Sequence, residues 1–351
     1  MSNIQINPYA FAAAGGLGSW KELDRITLGS TTSPITVSSL PDREYYMILS
    51  NVVPNGVRAA AVRRLGYGSV DTGSNYASIR SDNGSSVLTN PNSNVAALVN
   101  LGTDITPQFA VDYCSNLSSE EKLGLSAVVL QNTAGSGNAP QRANSSWKWV
   151  NTSNPLDTYE ITREPSETGE WLAGSECIVL GWDSTDTHTT ADNFWQELGS
   201  ATADGSSDTL STSFTSKKYL WVQGYAENTA GSVVLRVGNT TLDSGNNYAA
   251  RLSSNGGAED VTTGIDAFSG LTSTTPIFWN FFIINNTANE KLAIGNNTRQ
   301  MTAGSGTVPN KIEGVYKWAN TSAQIDIVGF VSTTGGSTIN SNSIIKVWGS
   351  D

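Results

Sequence analysis

The chain is predicted to be all-β: two tandem homologous antiparallel β-sandwich (jelly-roll-like) domains with an N-terminal arm. Three observations predict it. A long stretch of the sequence is present twice. The segments between turn signals carry β-branched and aromatic residues. Apolar residues almost never recur at helical spacing.

The duplication is the strongest signal, and repeats are sought first because missing one miscalls a fold. Asp71-Thr-Gly-Ser-Asn-Tyr76-Ala returns as Asp243-Ser-Gly-Asn-Asn-Tyr248-Ala, and Arg64 and Arg236 precede the two copies at the same distance. Further on, Glu121-Lys-Leu123 matches Glu290-Lys-Leu292, and Thr133-Ala-Gly-Ser-Gly137 matches Thr302-Ala-Gly-Ser-Gly306. Trp147-Lys-Trp149 likewise matches Tyr316-Lys-Trp318. With 351 residues the chain exceeds the roughly 250–300 that one core usually serves, so duplication of one domain accounts for the length.

In chain order, residues 1–18 are expected to form a docking arm, ending in Gly15-Gly-Leu-Gly18 and held by a neighbouring subunit or by its own domain. Domain 1 spans residues 19–184 and opens at Trp20-Lys-Glu22-Leu23. Its strands are expected at Glu44–Ser50, Ala60–Leu65, Phe109–Cys114 and Ile178–Trp182. Residues 185–193 have linker composition and contain His188, the single histidine. Domain 2 spans residues 194–351, opens at Trp195-Gln-Glu197-Leu198, and repeats the strands at Lys218–Gly224, Val233–Val237, Phe278–Ile283 and Ile344–Trp348. Copies of this length, with many short strands between turns, fit a jelly roll better than an immunoglobulin-like sandwich of about 100 residues.

Composition excludes several function classes. A net charge of −11 repels phosphate backbones, so no nucleic-acid partner is expected. No stretch is long and apolar enough to span a membrane as a helix, and nothing at the N-terminus resembles a signal peptide. Cys114 and Cys177 are too few for a disulfide framework, though one bond between them stays open. A lone histidine in a linker supplies neither a His-based triad nor a His-rich metal site. The recurrent acids Glu22/Glu197, Asp71/Asp243 and Glu121/Glu290 are far apart in sequence and beside turns or strand starts, so no catalytic residue, enzyme activity or cofactor is expected.

The repeated motif admits two readings. As structure, Asp71 and Asp243 accept backbone N–H groups, Gly73 and Gly245 supply a positive φ, and Tyr76 and Tyr248 start the next strand. Arg64 and Arg236 would pair with the Asp residues. As a weak metal site, Asp71, Asn75, Asp243 and Asn247 would hold calcium, but one Asp per loop falls short of the six to eight oxygens that ion takes. Trp149 and Trp318, and the strand-end pair Trp182 and Trp348, could be core or could stack on host glycans.

The run Arg-x(6)-Asp-x-Gly-x-Asn-Tyr-Ala resembles a stretch in β-sandwich proteins from tailed viruses of bacteria. The resemblance covers the first half of each repeat, and the sequence departs from it at Leu65-Gly-Tyr-Gly and Val237-Gly-Asn-Thr, where Phe-Asn is expected. It implies a virion location, made in the host cytoplasm, and partners among other virion proteins (capsid or tail subunits), with self-association open. A capsid decoration, head-fibre or tail accessory role follows, with no catalytic residue to carry over; the alternative is a carbohydrate-binding adhesion module.

Overall fold

A computed structural model describes residues 19–56, 61–85, 87–99, 106–165, 169–186, 190–272 and 275–351. The expected arm at residues 1–18 and His188 in the linker lie outside the described residues.

In the first half the strands are β1 (Lys21–Thr27), β2 (Ile35–Val37), β3 (Tyr45–Val52), β4 (Pro54–Asn55), β5 (Ala61–Gly66), β6 (Tyr76–Asp82), β7 (Leu88–Ser93), β8 (Ala96–Val99), β9 (Gln108–Ser115), β10 (Lys122–Leu130), β11 (Gln141–Trp149), β12 (Thr158–Arg163), β13 (Glu170–Trp171) and β14 (Glu176–Trp182). An eight-stranded sheet is ordered β1-β14-β3-β9-β10-β11-β6-β7, a second sheet β2-β12-β5-β8, and β13 pairs with β4.

The second half follows after one 3-10 turn at Thr190–Asp192. Its strands are β15 (Gln196–Thr202), β16 (Thr209–Ser213), β17 (Tyr219–Ala226), β18 (Ser232–Asn239), β19 (Thr241–Leu242), β20 (Tyr248–Ser254), β21 (Glu259–Ile265), β22 (Phe268–Thr272), β23 (Ile277–Ile284), β24 (Lys291–Arg299), β25 (Asn310–Trp318), β26 (Ile327–Ser332) and β27 (Ile344–Ser350). The eight-stranded order β15-β27-β17-β23-β24-β25-β20-β21 repeats that of the first half, and β16-β26-β18-β19 with β22 forms the second sheet. Consecutive strands β9, β10 and β11 run side by side in the larger sheet, as β23, β24 and β25 do in the second half, and the register is antiparallel in every pairing described. The predicted tandem antiparallel β-sandwich is the fold.

The placement of strands follows composition. β3 and β17 are interior strands, buried along almost their whole length, which is why they read as continuous apolar runs. β1 and β15 are edges, half-exposed and carrying Lys21, Glu22, Asp24 and Glu197, charges that blunt an edge against stray pairing. The second core is aromatic: Trp279, Phe281, Tyr316 and Phe330 are fully buried, with Phe281 and Tyr316 ring centres 5.2 Å apart. Each such side chain contributes roughly 1.5–3 kcal/mol by leaving water.

The chain divides into two compact units, Met1–Val128 with Ala143–Gln196, and Val129–Arg142 with Glu197–Asp351. The segment Val129–Arg142, which belongs to the first repeat by sequence, is therefore part of the second unit. Cys114 and Cys177 are both buried free thiols.

Candidate functional site

The repeated motif folds identically in the two units. Asp71 N–H donates to Leu65 O at 2.8 Å, closing the turn after β5, and Asp243 N–H donates to Val237 O at 3.0 Å after β18. The Asp71 carboxylate then accepts Gly73 N–H at 2.8 Å and Asn75 Nδ2 at 2.9 Å. Asp243 accepts Gly245 N–H and Asn247 Nδ2 at the same two distances. The register places Trp149 opposite Tyr76 and Trp318 opposite Tyr248. From there Trp149 Nε1 donates to Asp71 Oδ2 at 2.8 Å and Trp318 Nε1 to Asp243 Oδ2 at 2.7 Å.

The tyrosines lock the strand before the turn. Tyr76 Oη lies 2.8 Å from Leu65 O and 2.9 Å from Asp71 O, and accepts Leu65 N–H at 2.9 Å. Tyr248 Oη repeats this on Val237 and Asp243 O. Burial pushes both phenols far above their ordinary range, so each stays protonated and keeps its proton for these carbonyls. Burial would also raise the two carboxyls. The donors Trp149, Asn75 and Gly73 outweigh it at Asp71, as Trp318, Asn247 and Gly245 do at Asp243, and hold both below the ordinary carboxylate value.

Four expectations need correction. Gly73 and Gly245 are not in the left-handed region; they are glycines because a Cβ at either would lie 2.9 Å from the Asn amide and 3.1 Å from the Asp carboxylate. Arg64 does not reach Asp71: it sits directly across the ladder from Glu160 and pairs with it at 3.3 Å. Arg236, with Gly329 across its ladder, pairs with Asp266 instead of Asp243. Adjacent strand side chains leave on opposite faces, so the arginine departs from the side on which Leu65 or Val237 meets the turn. Trp149 and Trp318 are each 1% exposed and offer no ring face to a sugar. Finally, Asp71 and Asp243 face N–H donors, and Asn75 and Asn247 present their amide nitrogens to them, so a cation would have to displace the bonds that form the turn.

The other recurrent acids also serve the fold. Glu22 pairs with Arg25 at 2.7 Å, and Glu197 with Lys346 at 3.7 Å. Glu121 pairs with Lys148 and Glu290 with Lys317. Of the strand-end tryptophans, Trp348 is buried against Trp221, and Trp182 packs on Tyr45.

Two duplicated clamps escaped sequence reading. Lys122 Nζ donates to Leu117 O, Glu120 O and Asn151 O, and Lys291 Nζ to Thr287 O, Asn289 O and Asn320 O. Asn116 and Asn285 each donate to a carbonyl before β3 or β17 and accept from Leu156 or Ile325 N–H. Lys122 and Lys291 stand inside the matched Glu-Lys-Leu triplets, which was the available signal.

One buried cluster is present in the first unit only. Asp112 receives Arg63 at 3.0 Å, Ser126 Oγ at 2.6 Å, Trp147 Nε1 at 3.0 Å and Tyr159 Oη at 2.7 Å. Arg63 also lies over the Trp147 ring, 5.0 Å from its centre. Asp112 and Arg63 are almost wholly buried, so the set is a closed core network with no opening to a substrate.

No protein-family model matches the chain, and no curated protein matches it. Among solved structures, the mouse laminin alpha1 chain, domains LG4-5, aligns over 98% of this chain and 90% of that one, at 10% identity and a TM-score of 0.20. A Pseudomonas aeruginosa FadL homologue aligns over 88% and 91%, at 7% identity and a TM-score of 0.11. Both scores are too low for either likeness to bear on fold or function.

Proposed function

We propose that the protein is a non-enzymatic structural component of a virus particle, a capsid decoration (cement) or head or tail accessory protein that binds neighbouring virion proteins. One observation carries the non-enzymatic part. Among the described residues, the recurrent Asp–Trp pairs and lysine clamps are engaged in holding their own turns and strands. A duplicated constellation that spends its hydrogen bonds internally supports a scaffold. The virion assignment is supported by the resemblance of the Arg…Asp-x-Gly-x-Asn-Tyr stretch, and a net charge of −11 disfavours a nucleic-acid partner.

The test is incorporation. An epitope-tagged chain expressed in cells producing the particle should purify with it at fixed stoichiometry, and deletion of residues 1–18 should remove it. A chain absent from purified particles would overturn the assignment, and normal occupancy by the deletion would overturn the arm's docking role.

A further inference from the structure

The repeated loop and the repeated ion pair are in opposite states in the two halves of the chain. Within the second unit, the segment Val129–Arg142 is bonded to Glu290 just before β24, to Lys317 on β25 and to Arg251 on β20. Gly135 N–H donates to Glu290 Oε1 at 2.5 Å, and Lys317 Nζ donates to Thr133 O at 2.7 Å. Arg251 Nε donates to Pro140 O at 2.9 Å, and Arg142 pairs with Glu259 at 2.8 Å. Beneath this segment the Glu290–Lys317 pair is buried. Leu292, directly across the ladder from Lys317, is 0% exposed.

The counterparts of both partners stand open. In the first unit Glu121 and Lys148 form the same pair at 2.8 Å, but in solvent. Leu123, which corresponds to Leu292, is 57% exposed, and Leu125 is exposed where Ile294 is buried. In the second repeat, residues 298–311 correspond to Val129–Arg142. Residues 300–309 are all exposed. The loop keeps the same backbone form, with φ 94° at Gly304 and 91° at Gly135.

The substitutions between the two sets match each other. Where the covered face has Arg251 and Glu259, the open face has Ile79 and Val87, both exposed. Where the covering loop has Asn132 and Ala139, the open loop has Met301 and Val308, the latter 80% exposed against 6% for Ala139. Arg142, which answers Glu259, becomes Lys311, whose charge turns to Glu313 on its own strand at 2.6 Å. Charge has been exchanged for apolar surface on the face, and a polar and a small residue for two larger apolar ones on the loop. Exposed apolar residues gathered on two such patches mark an interaction site.

We infer that the loop 298–311 of one copy of the chain docks on the β10–β11–β6 face of a second copy, with Gly304 N–H on Glu121, Thr302 O on Lys148, and Met301 and Val308 against Leu123, Ile79 and Val87. Each chain carries one donor loop and one receiving face, so the contact is head-to-tail. It closes into a ring or continues as a filament according to the rotation per step. The inference rests on the reading of the chain as an assembly protein. Its test uses the purified chain alone, so failure of self-association is distinguishable from failure to join a particle.

Light scattering and sedimentation of the full chain, from micromolar to near-millimolar concentration, should show species larger than one chain. Leu123→Asp with Leu125→Asp disables the receiving face, and Met301→Asp with Val308→Asp disables the loop. All four positions are exposed, so both variants should melt as the parent does while remaining monomeric. Mixed in equal amounts, they retain one intact contact and should yield dimers and nothing larger. A parent that stays monomeric, variants that assemble like the parent, or a mixture that stays monomeric would each overturn the inference. A dimer formed by either variant alone would do so too, because it requires a symmetric contact.

Discussion

Arg63 and Asp112 form a buried ion pair at 3.0 Å in the first unit, and the second unit places Leu235 and Phe281 at the same two positions. The rest of the network changes with them. Ser126 becomes Gly295, where a Cβ would lie 2.3 Å from the Phe281 ring, and Tyr159 becomes Val328. One sandwich thus supports either a polar or an apolar solution at its centre.

Arg63→Leu alone should lower stability by about 3–5 kcal/mol, because it leaves a buried carboxylate without its cation. Copying the apolar solution, with Arg63→Leu, Asp112→Phe, Ser126→Gly, Trp147→Tyr and Tyr159→Val together, should recover most of that loss. Chemical denaturation of the parent, the single variant and the combined variant checks it. A combined variant less stable than Arg63→Leu would contradict it.

Trp149→Phe and Trp318→Phe keep an aromatic ring in place but withdraw the indole donor from Asp71 or Asp243. Each should cost about 1.5–3 kcal/mol, as expected for a hydrogen bond to a charged acceptor. Thermal melting monitored by circular dichroism is the measurement, and the two losses should be of similar size because the two geometries are alike.

The same carboxylates set an acid limit. Their folded values lie below the ordinary one, so their contribution is complete above the unfolded pKa of about 3.9 and is lost as pH falls through the folded value. Asp71→Asn should therefore be less stable than the parent at pH near 6, with the gap narrowing as the pH falls below about 4. Melting curves across that range would show the two lines converging.

Lys122→Met and Lys291→Met should each cost about 3 kcal/mol, since three carbonyls lose one shared donor and a buried unsatisfied acceptor costs roughly 1–3 kcal/mol. Asparagine side chains close by cannot substitute, because Asn116 and Asn285 are already committed to their own carbonyls.

The duplication and the strands were legible in the sequence because both are written locally, in fixed offsets and in runs of β-branched and aromatic residues. The members of the turn motif were legible for the same reason. Their partners were not. Arg64 finds Glu160, 96 residues on, whereas Arg236 finds Asp266, 30 residues on; the two repeats solve one pairing differently, so repetition gives no clue to it. Trp149 was visible as a recurrent tryptophan, yet whether a ring faces core or solvent depends on a sheet built by distant strands. The Arg63–Asp112 network was invisible because neither residue recurs, and recurrence was the only guide.

The lysine arrangement makes the protein its own chemical probe. Amine-reactive reagents need an accessible, uncharged nitrogen, and Lys122, Lys291 and Lys317 are enclosed by carbonyls or by a carboxylate. Lys148, the open counterpart of Lys317, stands on the proposed receiving face. Covalent modification followed by peptide mass mapping should mark Lys148 readily in dilute protein and spare it at high concentration. Lys317 is the internal reference: shielded in a single chain, it shows what Lys148 becomes when a neighbour arrives.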